Sequence, residues 1–212
     1  MPRRTAADAA VTRSTILDAA RATFADGGYQ AATLDGIALR AGVTRGAVHH
    51  HFGDKHELFV EVFEQVEREI NDAVVAAALA TTRTGLEPFK AGCRALFALF
   101  ARPDLRRIVL ADAPAVLGLV AWYEIDRGFG LATIRAGLRS LGDDGALDRE
   151  TTEALALLLY GALTEASLAL GARLTTVDEA AIVETVERIL GAFVPAASQP
   201  PGPPRDNVRA VR

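Results

Sequence analysis

The chain has 212 residues, is half hydrophobic and carries a formal net charge of −4, which gives enough apolar material for a sizeable core and argues against disorder over most of its length. A single cysteine, Cys93, excludes a disulfide framework and any multi-cysteine zinc or iron–sulfur site, and fits a reducing, cytoplasmic setting. Asp8 interrupts the basic start Met1-Pro2-Arg3-Arg4 before an apolar stretch builds, and uncharged runs such as Ala113 to Tyr123 are too short to span a bilayer, so neither a signal peptide nor a membrane partner is expected.

Helical periodicity runs through the chain and no convincing strand is found, which makes the fold class all-α. Residues 1–11 read as a flexible arm. Ile16, Leu17, Ala20 and Phe24 share one helix face, with Thr12 or Ser14 as a cap and Asp26-Gly27-Gly28 as the stop. Thr33 caps a short helix carrying Leu34, Ile37, Ala38 and Ala41. Gly42 breaks it, and Thr44 caps a second short helix to about His50. Asp54-Lys55-His56-Glu57 reads as a capping box that opens a long helix with the stripe Leu58, Phe59, Val62, Phe63, Val66, Ile70 and Val74.

Beyond Thr84 the pattern restarts in Leu86, Phe89, Cys93, Leu96, Phe97 and Phe100. Arg102-Pro103 and Asp112-Ala113-Pro114 punctuate a short helix. Residues 115–141 read as one long helix bent near Gly128 and Gly130, and Gly142 to Gly145 as a turn. Residues 149–170 form a very apolar helix. Thr176-x-x-Glu179 opens a last helix to Val194, and Pro195 begins a Pro-rich tail expected to be disordered. The expected domains are therefore 1–54, 55–194 and the tail 195–212.

Charge divides along the same line. Residues 1–55 carry +2 and the rest −6, and all four histidines lie in or beside the positive part. A mildly basic head on an acidic body suggests that the head meets an anion. Within the head, two short helices joined by Ala41-Gly42-Val43 match a helix-turn-helix. Such a motif needs a tight glycine-containing turn and small or polar residues at the start of its second helix, here Thr44, Arg45, Gly46 and Ala47. Val43 and Val48 are expected to face inward, and an ordinary helical hairpin is the bland alternative. Adjacent histidines on a helix diverge, so His49, His50 and His51 do not read as a metal site, and no cofactor is implied.

The pattern Thr33-x-x-x-Ile37-Ala38-x-x-Ala41-Gly42-Val43-Thr44-x-Gly46-x-Val48-x-x-His51-Phe52-x-x-Lys55-x-x-Leu58-Phe59 resembles the N-terminal domain of the tetracycline-repressor (TetR) family over roughly residues 12–60. The resemblance implies a homodimer with three N-terminal helices that bind double-stranded operator DNA and a larger helical C-terminal domain that binds an effector and dimerises. The family usually has tyrosine, a DNA-backbone contact, where this chain has His49, so a shorter, titratable contact is expected there. On physical grounds Thr33 and Lys55, at helix N-termini, are candidates for phosphate. Arg45 is the candidate for a guanine edge, Ala47 for a thymine methyl and His50 for a base edge or phosphate.

The body is less diagnostic. Phe97, Phe100, Trp122 and Tyr123 supply aromatic surface for a small-molecule cavity between the helix starting at Asp54, the Leu86–Phe100 helix and the 115–141 helix. Core packing is the alternative for each of them. Asp112 and Glu165 stand in apolar surroundings, where a carboxylate needs either an arginine such as Arg94 or Arg135 or a polar or cationic ligand. Cys93, on an apolar face, reads as a structural thiol. The last two helices read as the dimer surface, through Leu155, Leu159, Gly161, Leu163, Ala166, Ile182 and Val186. The leading function is a ligand-responsive regulator, with a constitutive DNA-binding dimer as the second reading. An all-α enzyme is disfavoured because no nucleophile, phosphate-loop or metal motif is found.

Overall fold

A computed structural model describes residues 6–141 and 147–193. The expected turn at 142–145 and the Pro-rich tail lie outside the described residues. Nine helices are present among them: α1 (Ala6–Ala31), α2 (Leu34–Ala41), α3 (Arg45–Phe52), α4 (Lys55–Leu79), α5 (Glu87–Ala101), α6 (residues 103–117), α7 (Leu119–Ser140), α8 (Arg149–Gly171) and α9 (Glu179–Gly191). Within α6 the α-helical turns Pro103–Arg106 and Ala113–Leu117 flank a π-helical stretch, Arg107–Asp112.

Side-chain caps set most of the boundaries. Thr33 accepts from Gly36 N–H, Thr44 from Ala47 N–H, Asp54 from Glu57 N–H and Asp148 from Thr151 N–H, each filling an orphan donor at a helix start. The last helix is capped by Asp178, which accepts from Ala181 N–H at 2.8 Å, not by Thr176. That helix ends at Gly191, short of Val194. At the other end of the chain α1 starts at Ala6, so residues 6–11 of the expected arm are helical. Thr12, proposed as a cap, sits inside α1 with its hydroxyl on the Asp8 carbonyl. The expected helix 115–141 is broken at Gly118 (φ 79°, ψ 155°) and runs through Gly128 and Gly130 without interruption.

Two apolar clusters hold the molecule. The first joins Ile16, Ala20 and Phe24 of α1, Ile37 of α2, Val48 of α3 and Phe59 and Phe63 of α4, then continues into Leu105, Ile108 and Val109 of α6. The head therefore shares its core with the body and does not close on itself at residue 54. Ion pairs Arg13–Glu61 and Arg21–Glu69 lace α1 to α4. The second cluster packs Phe97 of α5, Leu131 and Leu138 of α7, Leu155, Leu159 and Leu163 of α8 and Val186 and Leu190 of α9. Helix α8 is long and apolar enough to cross a membrane, with mean hydropathy 1.6 over its most apolar stretch. Here its Leu155–Leu163 face is buried against α5 and α7.

Candidate functional site

The turn between α2 and α3 is made by Gly42, whose φ of 67° lies in the left-handed region that a side chain disfavours. Its N–H donates to Leu39 O at 3.2 Å and the Val43 N–H to Ala38 O at 3.0 Å, which closes the end of α2 and turns the chain sharply into α3. Val48 is fully buried and pins α3 onto the head, while Thr44, Arg45, Gly46, His49 and His50 stand exposed and Ala47 is half-buried. These residues share one side of an eight-residue helix, with the small Gly46 and Ala47 in its first turn beside the polar Arg45, His49 and His50. Arg45 donates to Asp35 Oδ2 at 3.0 Å, with both side chains about two-thirds exposed (66% and 67%). Such a pair contributes roughly 0–1 kcal/mol, so it aims the guanidinium without holding it. The His49 Nδ1 faces the Gly53 carbonyl, which leaves Nε2 for an outside partner. Thr33 is exposed at the start of α2.

Lys55 differs from expectation. Its ammonium does not stand at the α4 N-terminus awaiting an external anion. It donates to the carbonyls of Tyr29 and Ala32 at 3.0 Å each and lies 4.2 Å over the Tyr29 ring. The electronegative end of α1 is thus its counterpart.

That end of α1 is a joint between head and body. Gly28 (φ 79°, ψ 167°) interrupts the helix and frees the Tyr29 N–H, which donates to Asp112 Oδ2 at 2.9 Å. One π-turn earlier on α6, Arg107 donates to the carbonyls of Ala25 and Asp26 at 3.3 and 2.8 Å. Asp112 therefore has its partner in the head backbone, not in Arg94, Arg135 or a ligand. Arg135 pairs instead with Glu153, at 2.6 Å.

A cavity of about 760 Å³ lies in the body between α4, α5, α7 and α8, with Leu110 of α6 at its edge. Its place matches expectation; most of its walls do not. Phe100 lines it, whereas Phe97, Trp122 and Tyr123 do not. Phe97 is core, Tyr123 stacks edge-on against Tyr160 at 5.7 Å, and Trp122 packs on the first cluster with its Nε1 buried and unpartnered. Glu165 is exposed on α8 and faces solvent. Three glycines on the cavity walls let neighbouring side chains close in: an added Cβ would lie 3.4 Å from Val74 Cγ1 at Gly92, 3.3 Å from the Tyr160 ring at Gly130 and 3.2 Å from the Phe89 ring at Gly137. Gly128, Ala132, Ala136 and Ser140, one turn apart on α7, line the cavity and are exposed to solvent.

The polar groups of the cavity are ones the sequence reading passed over. Glu67 is 4% exposed, and its Oε1 has no hydrogen-bond partner among the described residues. Burial, and then the nearby Asp126, push its carboxyl well above the ordinary range. Asp126 is likewise raised by burial, partly opposed by the O–H that Tyr160 donates to its Oδ2. A signal existed for Glu67: it lies inside the apolar stripe, one turn from Phe63 and from Ile70. Cys93 also lines the cavity, its thiol pushed up to about 12 by burial, which makes it an inert wall atom, not a sensor.

The expected dimer residues divide. Leu155, Leu159, Leu163 and Val186 are in this chain's own core and present nothing to a partner. Gly161 is exposed, and Ala166 and Ile182 are half-buried. The apolar residues that α8 and α9 leave outward are Leu157, Leu158, Leu168 and Ile189, with Phe193 just beyond.

The chain matches the family model "Bacterial regulatory proteins, tetR family" over residues 16–62. It also matches "Tetracyclin repressor-like, C-terminal domain" over residues 86–193. It is 44% identical over 72 residues to the HTH-type transcriptional regulator AcrR of Shigella flexneri, 34% of each chain. It is 36% identical over 107 residues to the HTH-type transcriptional repressor BepR of Brucella suis, covering 50% of this chain and 51% of that one. The chain thus spans a third to a half of the length of these curated relatives. The crystal structure of a TetR-family transcriptional regulator from Pectobacterium atrosepticum superposes with a TM-score of 0.72 at 32% identity, covering 90% of this chain and 98% of that one. With both halves matched in order and the fold shared nearly end to end, the chain belongs to the TetR family of transcriptional regulators.

Proposed function

We propose that the protein is a cytoplasmic homodimeric repressor that binds double-stranded operator DNA through α3 and is released when a small, mainly hydrophobic molecule enters the cavity. The observation that carries the DNA reading is the exposed row Thr44, Arg45, Gly46, His49 and His50 on a helix pinned from behind by Val48. Repression is supported by relatives such as BepR, described as a repressor. A half-site binder gains specificity by pairing two heads. The outward stripe Leu157, Leu158 and Leu168 on α8, with Ile189 on α9, is the surface for that pairing.

The joint supplies the route from cavity to head. Leu110 touches the cavity and lies between Arg107 and Asp112, which grip the end of α1. A ligand that shifts α6 therefore moves the purchase on α1 and changes the separation of the two heads. The test is a duplex selected from a random pool by the full-length protein. Arg45→Ala is expected to lose about 1–3 kcal/mol on that duplex and to relax preference at one base pair. Equal loss on selected and random duplexes would show that Arg45 does not read a base.

A further inference from the structure

Resting on that reading of the cavity, we propose that its ligand is a lipophilic organic cation, held by Glu67 of α4 and Asp126 of α7 facing one apolar space. Among the described residues, those lining the cavity include these two carboxyl groups and no lysine, arginine or histidine. Three basic residues of α5 and α7 are engaged away from it. Lys90 bonds Glu187 at 2.7 Å and Glu87 at 2.8 Å, Arg135 bonds Glu153, and Arg127 lies over the Tyr123 ring. A buried carboxyl whose Oε1 lacks a partner is costly in a core and is kept where something else supplies the partner.

The rest of the wall narrows the chemistry. Phe89, Phe100 and Tyr160 offer aromatic surface on which a cation gains further attraction. An inorganic cation would need a shell of oxygens, and these walls are mostly hydrocarbon, so the charge belongs on an organic skeleton. An anionic amphiphile would meet two acids and no base. Burial, and at Glu67 also the nearby Asp126, hold the two carboxyls towards their protonated forms in the free protein; an arriving cation favours the charged form of one of them, whose proton leaves to solvent. A volume of about 760 Å³ accommodates a drug-sized molecule.

The test uses the full-length protein, the neutral dye N-phenyl-1-naphthylamine to report occupancy, and two competitors of the same shape and opposite charge, tetraphenylphosphonium and tetraphenylborate. Tetraphenylphosphonium is expected to displace the dye at a concentration at least tenfold lower than tetraphenylborate. In Glu67→Gln and in Asp126→Asn, which keeps an acceptor for Tyr160, that preference is expected to fall to within about twofold, with melting curves confirming the fold. If the variants do not fold, the wild-type comparison of the two ions decides alone. Dye binding with equal competition, stronger competition by the borate, or an undiminished preference in folded variants overturns the charge assignment and leaves the cavity as an effector site. Failure of the dye and of both ions to bind overturns both.

Discussion

Helix α4 runs through both halves of the molecule, and its two ends are packed in opposite ways. Leu58, Phe59, Val62, Phe63 and Val66 have no exposed surface, and the Phe24, Tyr29 and Phe59 rings meet at 5.1–5.9 Å. Three turns on, Val74, Val75 and Ala78 face the cavity. The head fills its space with aromatic residues, while the far end of α4 carries smaller side chains that border a cavity. A reader of DNA needs one rigid shape, and a body proposed to take up an effector needs room for it. Both demands are met on one helix because the side chains change size along it.

The sharpest break of this comparison comes from two phenylalanines. Phe59→Ala is expected to cost about 3–5 kcal/mol in denaturant unfolding, because the hole opens in a filled core. Phe89→Ala, at a wall that already borders space, is expected to cost under about 2 kcal/mol. Equal costs would mean that the two regions are packed alike.

The joint between the regions is next in size. Asp112→Ala leaves the Tyr29 N–H without its partner and is expected to cost about 1–3 kcal/mol. Asp112→Asn retains an acceptor and is expected to cost less. Chemical denaturation of both variants orders them. Gly28→Ala puts a side chain at φ 79° against the Asp112 carboxylate, with the added Cβ 3.5 Å from Oδ2. It is expected to cost about 1–2 kcal/mol from backbone strain, measured in the same way.

The smallest expected effect is a pH dependence seated in the body. The titratable groups facing the cavity are Glu67 from α4, Cys93 from α5, Asp126 from α7 and Tyr160 from α8. The two acids are raised above their ordinary values of 4.5 and 3.8 in the folded chain. The native state therefore keeps protons that the unfolded chain has lost. Their contribution to stability is fully present below those ordinary values and is lost as pH rises through the raised folded ones. Glu67→Gln is expected to flatten the fall of melting temperature with rising pH. A slope unchanged from wild type would remove Glu67 as its source.

The head was legible because its signals are local. Thr33, Thr44 and Asp54 cap, Gly42 turns, and Val48 points inward, each within a few residues of what it organises. Lys55 was misread because its partners, Tyr29 and Ala32, are more than twenty residues away in sequence. In the body, periodicity shows which helix face turns inward but not whether that face meets atoms or space. Hence Phe97 and Trp122 fell in packed regions while Phe89 and Phe100 line the cavity. For the same reason Leu155, Leu159, Leu163 and Val186, apolar on helices with apolar residues on several sides, could not be told from a partner-facing stripe. Asp112 and Glu165 stood out as acids among apolar neighbours. Glu67 carried the same signal within a stripe that read as ordinary core.

The contrast between a filled head and a hollow body is tested most directly by amide hydrogen exchange on the full-length protein, with and without saturating N-phenyl-1-naphthylamine. The account predicts slower exchange in residues 67–79, 89–100 and 126–141, an altered rate at 25–32 where α6 grips α1, and unchanged protection in α2 and α3. Protection centred on α2 and α3, or none in the helices around the cavity, would contradict it.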